Sequence, residues 1–307
     1  MNKWPSLKQL HYLITLHETR HFNDAARKCF VSQSTLSKGI QNLEQLIGCS
    51  LYEKKDKKGP LVFTQAGEQV VKQGRDLLAK GKDLVELGRQ NQEGEMEGQI
   101  RLGCIPTIAP FLLCDVVQEI NKQFPLLNLL LREDTTAQLL DALRQGELDV
   151  LILALPIDIG GMESRVLGDD PFKMIVSRDK ADQIRSPIRY ADFPDDFVFL
   201  LEKEHCLSEH AISACQLTDS NKINSFHATS LHTLVQMVAN GMGTTFIPQM
   251  AISHGLIENQ NLLVLDAPGK QAMRQIGLVW RPSSSRVATF EQLARVISRL
   301  LLPPSAN

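Results

Sequence analysis

The residues best suited to chemistry lie in one run of eleven, His205-Cys206-Leu207-Ser208-Glu209-His210-Ala211-Ile212-Ser213-Ala214-Cys215. Two thiols in one neighbourhood can pass from sulfenic acid to a disulfide and back, which is the chemistry of a redox switch. The connecting residues read as helix: Leu207, Ala211 and Ala214 recur at i, i+4 and i+7, with polar Ser208, Glu209, His210 and Ser213 mostly elsewhere on the wheel. Nine helical steps of about 1.5 Å place the two Cα atoms roughly 13 Å apart. A disulfide accepts a Cα separation of only about 4.4–6.8 Å. Helix and disulfide therefore exclude each other. The plainer alternative is a core helix that carries two inert buried thiols.

The rest of the chain sets the context for these thiols. Its 307 residues suffice for two or three domains, and 43% hydrophobic with 22% charged residues is the composition of a water-soluble protein. The start lacks the apolar core of a signal peptide, and runs such as Leu151 to Leu155 fall far short of a membrane span, so a cytoplasmic protein without membrane association is expected. In that reducing compartment the six cysteines (29, 49, 104, 114, 206, 215) are not structural disulfides by default. None forms a C-x-x-C or a zinc-type cluster with histidine, so neither metal nor cofactor is expected. Cys104 and Cys114 read as small core residues.

Charge is unevenly divided. Residues 1–94 carry fifteen Lys/Arg against ten Asp/Glu, a net of +5, which leaves −7 for residues 95–307. A basic module joined to an acidic body suggests nucleic-acid binding at one end. Leu7, Leu10, Leu13, Ile14 and Leu16 mark a first amphipathic helix, and Asn23-Asp24-Ala25-Ala26-Arg27 opens a second with good capping chemistry. Ser32 is placed to cap a third, whose inward residues are Ile40, Leu43 and Leu46. Ser32, Gln33, Ser34, Thr35, Ser37 and Lys38 near its start suit hydrogen bonding to base edges and phosphates. The stretch 51–63 then reads as strand, basic turn and strand, with Lys54, Lys55, Lys57 and Lys58 fit for phosphate contacts.

Residues 64–93 form one long helix by pattern. Val70, Gly74, Leu77, Gly81, Leu84 and Gly88 alternate at spacings of four and three; glycines in register fit either close approach of a partner helix, the reading expected here, or an amphipathic helix resting on its own domain.

The order Ala25-Ala26, Val31-Ser32-Gln33-Ser34-Thr35-Leu36-Ser37, Ile40, Leu43-Glu44, Leu46-Ile47-Gly48, Leu51-Tyr52 and Phe63-Thr64-Gln65-Ala66-Gly67 resembles the LysR-type transcriptional regulators. That resemblance implies a winged helix-turn-helix over 1–63, a dimerising linker helix over 64–94 and a regulatory domain over 95–307. The last would be two α/β subdomains of periplasmic-binding-protein-like architecture, approximately 95–167 with 268–307, and 168–267. The sequence beyond residue 95 agrees, since strands at 99–104, 127–132 and 148–155 with a helix at 137–145 give a βαβαβ rhythm and predict a parallel sheet. Further strands are expected at 172–177, 197–201, 223–227, 244–247 and 275–281, with helices at 230–240 and 287–301.

Within that family, Ile105-Pro106-Thr107, Thr136-Ala137-Gln138-Leu139-Leu140, His205-Cys206-Leu207, Cys215, Ala228-Thr229-Ser230-Leu231 and Ile276-Gly277-Leu278-Val279-Trp280-Arg281-Pro282 are similar to the OxyR-type peroxide sensors. The similarity implies Cys206 as the thiol that meets hydrogen peroxide and Cys215 as the thiol that resolves it. It further implies Thr107 and Thr136 as hydroxyls that hold peroxide, with His205 and Arg274 beside the sulfur. From position alone, Thr107 serves equally as a helix N-cap and Arg274 as a strand-edge surface residue. Glu204, where such sensors usually carry a small residue, and Ser208, where some carry arginine, are the positions expected to tune reactivity.

The resulting expectation is a promoter-binding regulator, not an enzyme. Its partners would be double-stranded DNA, hydrogen peroxide as signal, RNA polymerase, and further copies of itself as a tetramer built from two dimers. Two other readings fit the residues: a LysR-type regulator that answers to a metabolite bound between the subdomains, and a thiol peroxidase.

Overall fold

The computed structural model describes residues 4–53, 61–90, 96–184, 188–202, 206–217, 219–269 and 272–301. It divides into two compact units, Met1–Gln92 with Arg144–Glu147, and Glu93–Leu143 with Leu148–Asn307.

The first unit is helical. Helices α1 (Leu7–Thr19), α2 (Phe22–Lys28), α3 (Gln33–Ile47) and α4 (Gln65–Gln90) follow one another, with one antiparallel bridge between Tyr52 and Phe63. Ser6 and Gln9 cap α1 reciprocally, Ser6 Oγ accepting from the Gln9 amide at 3.2 Å and Gln9 Oε1 accepting from the Ser6 amide at 2.9 Å. Ser32 caps α3 as expected, accepting from the Thr35 amide at 3.1 Å. Helix α2 departs from expectation, because His21 precedes it without a side-chain cap and Asn23 and Asp24 lie inside it. Leu10, Leu13, Leu16, Leu36, Ile40, Leu43, Leu51, Phe63 and Val71 form the core of this unit.

The glycine row on α4 also requires correction. Cβ atoms at Gly74 and Gly81 would lie 3.4 Å from Leu10 and Leu7 respectively, so both glycines face α1 of their own chain. Leu77, Leu84 and Val85 are the residues left exposed. A helix seated against its own domain through glycine satisfies the same spacing as a glycine-rich seam between chains.

The second unit is α/β. Its elements are β1 (Gly98–Cys104), α5 (Ala109–Gln123), β2 (Leu127–Glu133), α6 (Thr136–Arg144), β3 (Val150–Leu155), β4 (Glu163–Ser177), β5 (Val198–Leu201), α7 (Cys206–Ala214), β6 (Ile223–Ala228), α8 (Leu231–Ala239), β7 (Thr244–Pro248), α9 (Gln249–Ser253), β8 (Leu262–Asp266), β9 (Met273–Trp280) and α10 (Val287–Leu301). Strands run in the order β2-β1-β3-β9-β4-β7-β5-β6, with β8 also paired to β4. The sheet is mixed, not parallel: β2, β1 and β3 are parallel, whereas β9 is antiparallel to both β3 and β4. The first half of β4 pairs with β9, and residues 172–177 pair with β7 and β8, so one long strand joins the two halves of the sheet.

That first half has no apolar signature. Glu163–Arg165 and Val166 are exposed, and backbone pairing alone defines the strand there. β8 and α9 are likewise short elements without a strong period. Strand β9 pairs with β3 and so lies beside the first three strands of the unit.

Candidate redox site and nucleic-acid interface

Cys206 opens α7, and Cys215 follows its last residue. Both are free thiols and buried, and the Cys215 amide still donates to the Ala211 carbonyl at 2.9 Å. The helical turn continuing to Cys215 is the geometry in which a bond between the two sulfurs is excluded. Leu207 and Ala211 face the core as the spacing predicts. Ser208 and His210 are buried too, contrary to the polar face expected of them, because each reaches a carbonyl. Ser208 Oγ donates to Leu201 on β5 at 2.6 Å, and His210 Nε2 lies 3.0 Å from the Pro156 carbonyl just beyond β3. Since a carbonyl only accepts, Nε2 carries the proton, which leaves Nδ1 as a buried acceptor with no partner among the described residues. His210 thus ties α7 to the segment that follows β3. Its position one turn after Cys206 was the available signal for that role.

Arg274 on β9 is the centre of the polar cluster at the site. It is 1% exposed, so it is no surface residue. Its Nε donates to Asp170 Oδ2 at 3.0 Å, Nη1 to the Thr107 hydroxyl at 2.8 Å and Nη2 to the Thr107 carbonyl at 2.9 Å. Asp170 Oδ1 in turn accepts from the Met250 amide, at the start of α9, at 2.9 Å. Thr107 does not cap α5; Ile108 occupies the cap position without a side-chain bond. Nothing in the sequence singles out Asp170, which becomes visible only as the partner of a buried cation.

Electrostatics at Cys206 are opposed. Burial pushes its thiol above the ordinary value and Glu209 adds to that, while a hydrogen bond with Thr136 and the charge of Arg274 pull it down. The N-terminus of α7 also favours a negative sulfur. Burial raises Cys215 to about 12. It also raises Cys104, buried at the end of β1, where Arg274 works against it. His210 is lowered, first by burial and then by Arg274. Cys206, Thr136, Thr107 and Arg274 are therefore brought into one neighbourhood. Glu204 and His205 lie outside the described residues. Cys114 is exposed on α5, which corrects its reading as a core residue.

In the first unit, Ser32, Gln33, Ser34, Thr35 and Lys38 are all exposed at the head of α3. The Ser32 hydroxyl is also within hydrogen-bond distance of Ser34 Oγ at 2.9 Å and Thr35 Oγ1 at 2.7 Å. This arrangement can present one row of hydroxyl, amide and ammonium groups to a groove. Lys54, Lys55, Lys57 and Lys58 lie outside the described residues. Among the described residues no helix is long and apolar enough to cross a membrane, and no group of His, Cys, Asp or Glu could hold a metal ion.

Comparison with known proteins agrees with both units. Residues 7–68 match the family described as bacterial regulatory helix-turn-helix protein, lysR family, and residues 93–301 match the LysR substrate binding domain. The chain is 38% identical over 297 residues to the HTH-type transcriptional regulator EstR of Acinetobacter baylyi, covering 96% of this chain and 97% of that one. It is 37% identical over 293 residues to the DNA-binding transcriptional dual regulator OxyR of Escherichia coli, covering 95% and 94%. Among solved structures, the reduced form of the regulatory domain of OxyR2 from Vibrio vulnificus is 74% identical with a TM-score of 0.66, covering 67% of this chain and 96% of that one.

Proposed function

The chain belongs to the LysR-type transcriptional regulators, a family of DNA-binding proteins and not of enzymes, and from that premise we propose that it senses hydrogen peroxide through Cys206 and Cys215. The observation that carries the proposal is the setting of Cys206, a buried thiol at a helix N-terminus beside Thr136 and the Arg274–Thr107 pair. Relatives named hydrogen peroxide-inducible genes activators support the same reading.

The Cys206 thiolate attacks one peroxide oxygen and the O–O bond breaks. The departing hydroxide takes a proton and leaves as water, and Cys206 becomes a sulfenic acid. Cys215 then displaces that hydroxyl as a second water, giving the disulfide. Two thiols are oxidised and one peroxide is reduced to two waters. Thr107, Thr136, His205 and Arg274 hold the peroxide and steady the departing charge. Glu204 and Ser208 tune the rate, Ser208 through its tether to β5.

Closure of the disulfide unwinds part of residues 207–214 and so reshapes the surface against a neighbouring copy. On this reading the protein works in the cytoplasm as a tetramer of two dimers. It binds promoter DNA through the head of α3 and through Lys54, Lys55, Lys57 and Lys58, and it acts on RNA polymerase. Residues 1–63, 64–94 and 95–307 serve as DNA-binding, dimerising and regulatory segments.

Intact-mass analysis before and after peroxide, with the cross-linked peptide mapped, tests the proposal. A loss of two hydrogens with a 206–215 link is expected. A protein that stays fully reduced, or links other cysteines, would refute it. The match to a substrate binding domain favours, as a second reading, a metabolite held between the subdomains. A metabolite that alters DNA binding by Cys206→Ser as strongly as by the native protein would identify that case.

A further inference from the structure

Phe30 is a residue whose presence neither backbone nor packing accounts for. Helix α2 ends with Cys29 at the cap, the Phe30 amide donating to the Arg27 carbonyl at 3.1 Å and the Val31 amide to the Ala26 carbonyl at 3.0 Å. This pair of bonds is the Schellman ending, in which the residue after the cap takes left-handed backbone. Phe30 does so, with φ 54. Glycine fills that place without strain and asparagine with little, whereas a bulky aromatic there is uncommon.

Packing supplies no compensation, because Phe30 is 95% exposed. Val31, the next residue, makes the apolar contact that such an ending uses, lying partly buried against the helical core. Single exposed apolar side chains are ordinary on protein surfaces. Trp4, at 82%, is one. Phe30 combines full exposure with a strained conformation.

Its place in the chain says what the ring is for. Two residues later Ser32 caps α3, and Gln33, Ser34, Thr35 and Lys38 stand exposed at the head of that helix. A bare benzene ring therefore neighbours a row of hydrogen-bonding groups. Hydrogen-bonding side chains distinguish base edges, whereas apolar ones distinguish thymine by its 5-methyl group. We propose that Phe30 packs against a thymine methyl group at the edge of each half-site, giving the interface an apolar, charge-free contact that selects for thymine. The proposal is independent of the redox chemistry of the regulatory unit.

The test uses the full-length reduced protein and an operator selected by it from random duplexes. Affinities are measured for the native protein, Phe30→Gly and Phe30→Ala, on that operator and on duplexes with deoxyuridine replacing each thymine in turn. Phe30→Gly should melt no lower than the native protein, since glycine relieves the backbone. It should bind the operator about three- to tenfold more weakly, the scale of one buried methyl contact. One deoxyuridine position per half-site should cost the native protein that factor and cost both variants nothing. The dependence on salt should not change, because no phosphate contact is lost. Unaltered affinity in both variants would overturn the proposal, as would deoxyuridine effects equal in all three proteins. A loss of affinity accompanied by loss of the dimer in sedimentation would assign the ring to a contact between copies and overturn it equally.

Discussion

Arg274 Nη1 donates to the Thr107 hydroxyl at 2.8 Å, so one buried cation joins strand β9 to the turn after β1 beside the Cys206 thiol. The same guanidinium holds Asp170 on β4, and Asp170 holds the first turn of α9. A single side chain therefore serves both as a structural tie and as a positive charge that favours the Cys206 thiolate.

Arg274→Ala should lose both functions. It leaves the Asp170 carboxylate buried without its cation, a change that costs about 3–5 kcal/mol. It also removes the charge that favours the Cys206 thiolate, so sulfenic acid should form more slowly. Arg274→Lys keeps the charge but not the three-way fork, and should restore part of the rate with less of the stability. Urea denaturation and stopped-flow trapping of the sulfenic acid separate the two effects. A variant with native oxidation rate would remove Arg274 from the chemistry.

The rate of oxidation should depend on pH with a definite sign. Burial holds the Cys206 thiol above its ordinary value, so at neutral pH only a small fraction is thiolate. Below that pKa the thiolate fraction, and with it the rate at fixed peroxide, should rise about tenfold per pH unit. A rate independent of pH between 6 and 8 would mean that Cys206 is already ionised in solution, contrary to this environment.

Cys215 makes a separate prediction about stability. Its thiol is raised by burial from an ordinary value of 9.0 to about 12, so between these pH values the folded state keeps a proton that the unfolded chain has lost. The contribution is constant below the unfolded pKa. Above it, stability should decline by about 1.4 kcal/mol per pH unit until the folded pKa is reached. Cys215→Ala should make the decline shallower by one proton's worth, as read from urea midpoints across that range. Parallel curves for the two proteins would contradict the shift.

Exposed Leu77, Leu84 and Val85 on α4, rather than Gly74 and Gly81, are available to a second chain. Leu84→Glu should weaken dimerisation by tenfold or more, measured by sedimentation. Gly81→Leu should instead lower the melting temperature, because its side chain would meet Leu7 of the same chain. Dimers of Leu84→Glu with native affinity would place the contact between chains elsewhere.

The sequence by itself determined the order and kind of most elements, because they rest on periodicity and caps. Ser32 before Gln33, the apolar steps Leu36, Ile40 and Leu43, and the apolar strand at Val150–Leu155 each depend on residues a few positions apart. The same locality defined the thiol pair on its helix. Tertiary structure decided everything that depends on distant partners. Strand β4 is held by backbone pairing to β9, more than a hundred residues later, and its exposed first half shows no pattern. Gly74 and Gly81 of α4 have a spacing that suits either a second chain or α1, and only packing chose α1. Arg274 reads as a surface residue until Asp170 and Thr107 are brought to it, and His210 as a solvated one until Pro156 is. A buried charge or imidazole is stable only beside its partner, and one sequence does not say which distant group that partner is.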